Sequence, residues 1–181
     1  MQKNEIFNVK NLTRLGLVAA MYVALTLLVE PLAFGGIQFR VSEVLVLLCF
    51  YRRDYAPALI VGCLIANLFS PYGLYDIIWG TVATALAVIP MHRMPNLFIA
   101  ALMPIFSNGI IVGIEITVLE GRTVWYNMAT VALGELVVVG IVGVAVFKLI
   151  FDRNRFMLRL IGSERGKKSA QTDGKISEKS I

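Results

Sequence analysis

Eight side chains capable of binding or ion-pair chemistry interrupt or border long apolar runs in this chain: Arg40, Glu43, Asn67, Asp76, Trp79, Asn108, Glu115 and Glu135. Ionisable groups at membrane depth cost on the order of 3 kcal/mol each on insertion scales, so they face a cavity or a partner rather than lipid. Glu135 is the most deeply embedded, within Leu133-Gly134-Glu135-Leu136-Val137. That setting points to a ligand or ion-pair role, with Arg40 as an internal partner. The other positions carry two readings each. Glu43, Asp76 and Glu115 can mark interfaces where headgroups and water are available. Asn67 and Asn108 can be hydrogen-bond glue between helices. Trp79, one turn inward from Asp76, can stack on a planar ligand or anchor at the membrane interface, and Trp125 reads as an anchor.

What is missing narrows the chemistry. The sequence has no Gly-rich phosphate loop ending in Lys-Ser or Lys-Thr and no HExxH, and no Ser or Cys has a histidine that could reach it on the same side. The chain therefore has no nucleotide site with which to drive transport, and an ATP-dependent process would need a partner. Cys49 and Cys63 lie inside apolar runs without a CxxC pair or nearby His, and read as buried free thiols. The single histidine, His92, lies beside Arg93 between two apolar runs and reads as interfacial.

Lipid must be the solvent for the elements that position these residues. The 181 residues are 57% hydrophobic and 16% charged, with a mean hydropathy of +0.75, against roughly 25% charged residues in an average soluble domain. Six runs follow: Leu12 to Val29, Val41 to Tyr51, Tyr55 to Phe69, Leu74 to Pro90, Asn96 to Leu119 and about Trp125 to Phe151. No small-residue cleavage site follows the first, so it is expected to be retained as a membrane helix. The second is shorter than one bilayer, which calls for tilt, extension by Ile37 to Phe39, or a partly re-entrant path. The pattern divides the chain into a segment 1–11, a six-helix membrane domain 12–151 and a basic tail 152–181, whose Gly-, Ser- and Lys-rich end predicts disorder.

Of the 17 Lys and Arg residues, all except Arg40 and Arg122 fall on one side when the N-terminus is inside. The positive-inside preference then puts both termini in the cytoplasm. In that topology every one of the eight side chains except Asn108, which lies mid-helix, falls in the outer half. Their convergence implies a solvent-open pocket. Small residues form a second pattern: Gly16, Ala20 and Ala24 recur at every fourth position of the first helix, and Gly109 and Gly113 repeat it on the fifth, which permits close helix approach.

The segments Ala19 to Thr26, Ile37-Gln38-Phe39-Arg40-Val41-Ser42-Glu43, Gly62 to Ser70 and Ala132 to Leu136 resemble the queuosine-precursor transporter (QueT) family. These are S components of energy-coupling factor (ECF) transporters. The resemblance implies an all-α six-helix S component of a prokaryotic plasma membrane. Its substrate would sit in an outward pocket beneath the first loop, adding Gln38 to the candidate substrate contacts. It implies docking on a transmembrane coupling subunit through the small-residue stripe Gly16, Ala20 and Ala24. It also implies transport by toppling of the chain in the membrane, with two partner ATPases hydrolysing ATP and no cofactor in this chain. The implied ligand is a 7-deazaguanine or queuine. In that setting Glu135, then Glu43, would accept the ring N–H donors, Asn108 or Arg40 would donate to the ring carbonyl, and Asp76 or Glu115 would meet an aminomethyl ammonium group. The rival expectations are an S component for another vitamin and a stand-alone proton- or cation-coupled carrier using Glu135 and Asp76. A membrane enzyme is disfavoured, because a cytoplasm-facing His92 and an outward acidic cluster share no reaction centre.

Overall fold

A computed structural model describes residues 8–29 and 39–152 together with Asn154, Met157 and Ile161. Among the described residues the chain is all-helical, with six helical segments. Four are long and apolar enough to cross a membrane, and two are shorter.

α1 spans Val9–Leu28, capped by Asn8, whose side chain accepts the Lys10 N–H at 3.2 Å. It begins three residues before the apolar run does, because this polar cap and not hydrophobicity sets its start. Val18, Tyr22 and Thr26, four residues apart, are its buried stripe. Gly16, Ala20 and Ala24 are exposed, two positions round from that stripe and so on the opposite face.

α2 spans Val41–Tyr51. Its first seven residues, Val41–Leu47, wind as a 3-10 helix and Leu48–Tyr51 as an α-helix. At about 2.0 Å per residue the tighter winding extends this short run to roughly 20 Å. Val46 to Tyr51 are all buried, so this half of α2 is apolar all round because protein, not lipid, surrounds it. Of the extension expected over Ile37 to Phe39, Phe39 carries no helix, and Ile37 and Gln38 lie outside the described residues.

The α2 to α3 link is fixed by Arg52, whose Nη2 lies 2.7 Å from Asp54 Oδ2 and whose Nε donates to it at 2.9 Å. α3 spans Tyr55–Asn67, two residues shorter than its apolar run. The chain then turns through Ser70-Pro71-Tyr72-Gly73, where Gly73 adopts φ +58°, a region that favours glycine. α4 spans Leu74–Met91. α5 spans Leu97–Glu120, capped at its start by Asn96, which accepts the Ile99 N–H at 2.8 Å, and at its end by left-handed Gly121. Its residues Phe98, Leu102, Phe106, Ile110, Ile114 and Val118 form an exposed apolar stripe, suited to lipid. α6 spans Val124–Phe151. Its first part, Val124–Glu135, is α-helical, and the backbone then widens into π-type turns over Leu136–Gly143.

Close packing between helices rests on glycine. A Cβ on Gly113 would lie 2.6 Å from Met128 Cα, and one on Gly109 would lie 3.0 Å from Ala132 Cβ, so α5 and α6 touch nearly backbone to backbone. Gly62 of α3 sits as tightly against Ala19 and Tyr22 of α1. At the end of the bundle away from Asp76, Tyr51, Phe147 and Phe151 stack. There the Tyr55 hydroxyl donates to the Ile161 carbonyl at 2.8 Å. Ile161 is buried and packs in the core cluster at this end. Residues 162–181 lie outside the described residues.

Candidate functional site

Helix geometry carries the polar side chains inward. Thr26, Arg40, Ser42, Glu43, Asn67, Asp76, Thr84, Asn108, Glu115 and Glu135 are all buried. Each comes from the face that its helix turns toward the bundle. On α4, for example, Asp76, Gly80, Ala83, Thr84 and Ala87 are buried while Tyr75, Ile78, Val82 and Leu86 are exposed.

Arg40, at the start of α2, lies 3.5 Å from Asp76 Oδ1 in the first turn of α4. A helix N-terminus favours the carboxylate there, and the Ser70 hydroxyl donates to its other oxygen. Asn67 donates to the Asp76 backbone carbonyl at 2.8 Å, bridging α3 to α4. The missing side chain at Gly80 makes the room, since a Cβ there would lie 2.8 Å from Asn67 Nδ2 and 3.5 Å from Arg40 Nη1. Glu115 on α5 lies in the field of both Asp76 and Arg40. Glu43, one 3-10 turn beyond Arg40, accepts from the Tyr22 hydroxyl and interacts electrostatically with Glu135. Glu135 accepts from Asn108 Nδ2 at 2.6 Å. A continuous layer thus runs from Glu115 through Asp76, Arg40 and Glu43 to Glu135 and Asn108.

Several expectations change in this geometry. The ion pair of Arg40 forms with Asp76, whereas Glu135 takes its hydrogen bond from Asn108, which its own α5 to α6 contact brings within reach. The Asn67 amide group serves as inter-helix glue. Trp79 is half-exposed and shares the outward stripe of α4 with Tyr75, Ile78 and Val82, outside the buried layer. Trp125 is also exposed, as an interfacial anchor would be. Gln38 lies outside the described residues. His92 caps the far end of α4 from Asp76, about 24 Å along the helix axis at 1.5 Å per residue.

The sequence reading passed over the hydroxyl residues that complete the layer: Tyr22, Thr26, Ser42, Ser70 and Thr84. Thr26 shares a 2.7 Å hydrogen bond with Ser42, and the Thr84 hydroxyl donates to Cys63 Sγ at 3.2 Å. A signal did exist, because Tyr22 and Thr26 stand four apart, directly opposite the small-residue stripe of α1.

Among the buried acceptor atoms without a hydrogen-bond partner are one oxygen each of Glu43, Asp76 and Glu135, and Asn108 Oδ1. Each is an acceptor, and a buried acceptor left unpaired costs about 1–3 kcal/mol. No cluster of three or more His, Cys, Asp or Glu residues suited to a metal ion occurs among the described residues. With the buried Arg40 guanidinium beside these oxygens, the layer offers both acceptors and a donor group to a polar ligand. Above it, the Tyr72 hydroxyl donates to Glu120 Oε1 at 2.5 Å, joining the α3–α4 turn to the end of α5. Burial and the adjoining Glu120 carboxylate push the Tyr72 phenol up to about 12.

Apolar helices outside and a charged, buried layer inside define a polytopic membrane protein. The model of the QueT transporter family matches residues 12–152, and the chain belongs to that family. It is also 35% identical over 86 residues to the Queuosine precursor transporter QueT of Lactococcus lactis subsp. cremoris (strain MG1363), a stretch covering 46% of this chain and 48% of that relative. The match thus spans about half of the relative's length. No solved structure matches the chain. The family is one of transporters rather than enzymes, and the chain is a multi-pass protein of the cell membrane.

Proposed function

We propose that this chain is the substrate-binding S component of an ECF-type importer, and that it captures a queuosine precursor, a 7-deazaguanine or queuine, from outside the cell. The observation that carries the reading is the buried Asn108–Glu135 pair, with its unpartnered acceptor oxygens beside Glu43. The N1–H and exocyclic amine of a guanine-like ring are donors in the positions such acceptors need, and an ionised acceptor strengthens both bonds. Family membership and the printed function of the L. lactis relative support the ligand class. With both termini cytoplasmic, as the charge distribution favours, the layer lies toward the outer side of the membrane.

Delivery requires partners, since the chain has no phosphate loop. The exposed Gly16, Ala20 and Ala24 stripe lies opposite the buried face of α1 and offers a coupling subunit a smooth surface for close packing. Two ATPases would power toppling of the loaded chain in the membrane.

Isothermal titration of the detergent-solubilised chain with queuine, deazaguanines and guanine, repeated on Glu135→Gln, tests this. Tight binding of a deazapurine that the substitution weakens by more than about 1.4 kcal/mol, a factor of ten, is the expected outcome. A folded protein that binds no deazapurine removes the assignment.

A further inference from the structure

The end of the bundle away from Asp76 carries a second group of polar residues, separate from the buried layer. A cleft there, between α1 and the α2 to α3 link, is lined by Asn11, Arg14, Leu15, Arg52, Asp54 and Tyr55. Arg52 is held by Asp54 through the 2.7 Å and 2.9 Å contacts already described, so the one acid of the cleft is committed to one guanidinium. Arg14, half-buried on α1, has no equivalent: among the described residues no carboxylate forms an ion pair with it. It meets the Tyr55 hydroxyl, which stands in the field of both Arg14 and Arg52 and donates its own proton to the Ile161 carbonyl at 2.8 Å. A neutral oxygen thus faces Arg14 where an anion would bind more strongly.

The surroundings favour a negative group as well. The cleft lies against the first turn of α3, the positive end of that helix. This end supplies field and not hydrogen bonds, because the N–H groups of Tyr55 and Ala56 go to the Arg52 and Arg53 carbonyls and Pro57 has none. Recognition therefore falls to the side chains. Lys10, one turn before Arg14, and Arg53, next to Arg52, are exposed and add positive charge at the rim. The position is that of lipid headgroups, since α1 begins here and α2 passes into α3. On the same turns of α1, Val9 and Leu12 are exposed and offer acyl chains an apolar surface.

We infer that this cleft is a binding site for the phosphate of an anionic phospholipid, held by the Arg14 guanidinium fork with Arg52 and Asn11 beside it. Arginine suits the role because its planar fork grips phosphate through two parallel hydrogen bonds. A lipid bound there ties the start of α1 to the α2 to α3 link. The site is independent of which substrate the buried layer takes.

Titration of the intact, detergent-solubilised chain with dioctanoyl phosphatidylglycerol, dioctanoyl phosphatidylcholine and inorganic phosphate tests it. Phosphatidylglycerol should bind at least about tenfold more tightly than either of the others. Arg14→Gln should abolish that preference. Asn11→Asp should do the same without disturbing the fold, because the new carboxylate stands three residues from Arg14 and can pair with it, in a first helical turn that favours an acid. Arg53→Gln removes an equal charge at the exposed rim and should keep the preference. Equal affinity for the two lipids would overturn the inference. So would equal losses in Asn11→Asp and Arg53→Gln, which would show general surface charge at work, or inorganic phosphate binding as tightly as phosphatidylglycerol, which would assign the cleft to a soluble anion.

Discussion

At the scale of single residues, the layer is held by hydroxyl groups that look unremarkable in the sequence. Tyr22 is the donor that Glu43 depends on. Tyr22→Phe keeps the ring and its packing but strands a buried carboxylate oxygen, a change worth about 1–3 kcal/mol. The expected result is a lower melting temperature in detergent, and an unchanged one would mean that Glu43 finds another donor. Tyr72 offers a different test because it titrates outside the membrane. Its pKa of about 12 in the folded chain lies above the value near 10 of an exposed tyrosine. The contribution of its bond to Glu120 is therefore present below about pH 10 and is lost as the pH rises through about 12. Melting followed across that alkaline window should show a loss in the wild type that Tyr72→Phe lacks. Parallel curves would indicate that the bond carries no stability.

At the scale of the elements, glycine positions separate packing from docking. Gly113→Ala drives a Cβ to 2.6 Å from the backbone of Met128. Overpacking of this kind costs about 1–3 kcal/mol, and because α5 and α6 carry Asn108 and Glu135, it should weaken ligand binding together with stability. Gly16→Ala meets nothing within 4 Å and, alanine being the better helix former, should leave the melting temperature of the isolated chain unchanged or slightly raised. A matched pair of thermal melts distinguishes the two sites. The elements were largely legible in advance, since six apolar runs became six helical segments with ends displaced by a few residues. Those displacements have local causes: the Asn8 cap extends α1, and the Ser70-Pro71 turn shortens α3. The 3-10 winding of α2 was not legible, because tertiary enclosure and not local propensity selects it. The polar residues of the layer were legible as costly outliers. Their partners were not, since a distance such as that between Arg40 and Asp76 depends on which neighbours the helices choose. The outward placement of Trp79 likewise follows from the rotation of α4, which the sequence pattern left open between two faces.

At the scale of the whole molecule, orientation can be tested directly. Protease added outside intact cells should spare the tail beyond Ile161, and protease added to inverted vesicles should remove it; the reverse pattern would overturn the proposed topology. The helices also differ in length round the perimeter. α5 has 24 residues, about 36 Å of helix, while α3 has 13, about 20 Å. Both expose apolar side chains outward, Val61, Leu64 and Ile65 among them for α3. A hydrocarbon core of about 30 Å fits neither flank. Lipids beside α3 must thin and those beside α5 must thicken, or the molecule must lean. The bilayer thus exerts a torque on this protein at rest. Acyl chain length becomes a control on how readily the proposed toppling occurs, and uptake in reconstituted vesicles should rise and fall with membrane thickness even where substrate affinity does not.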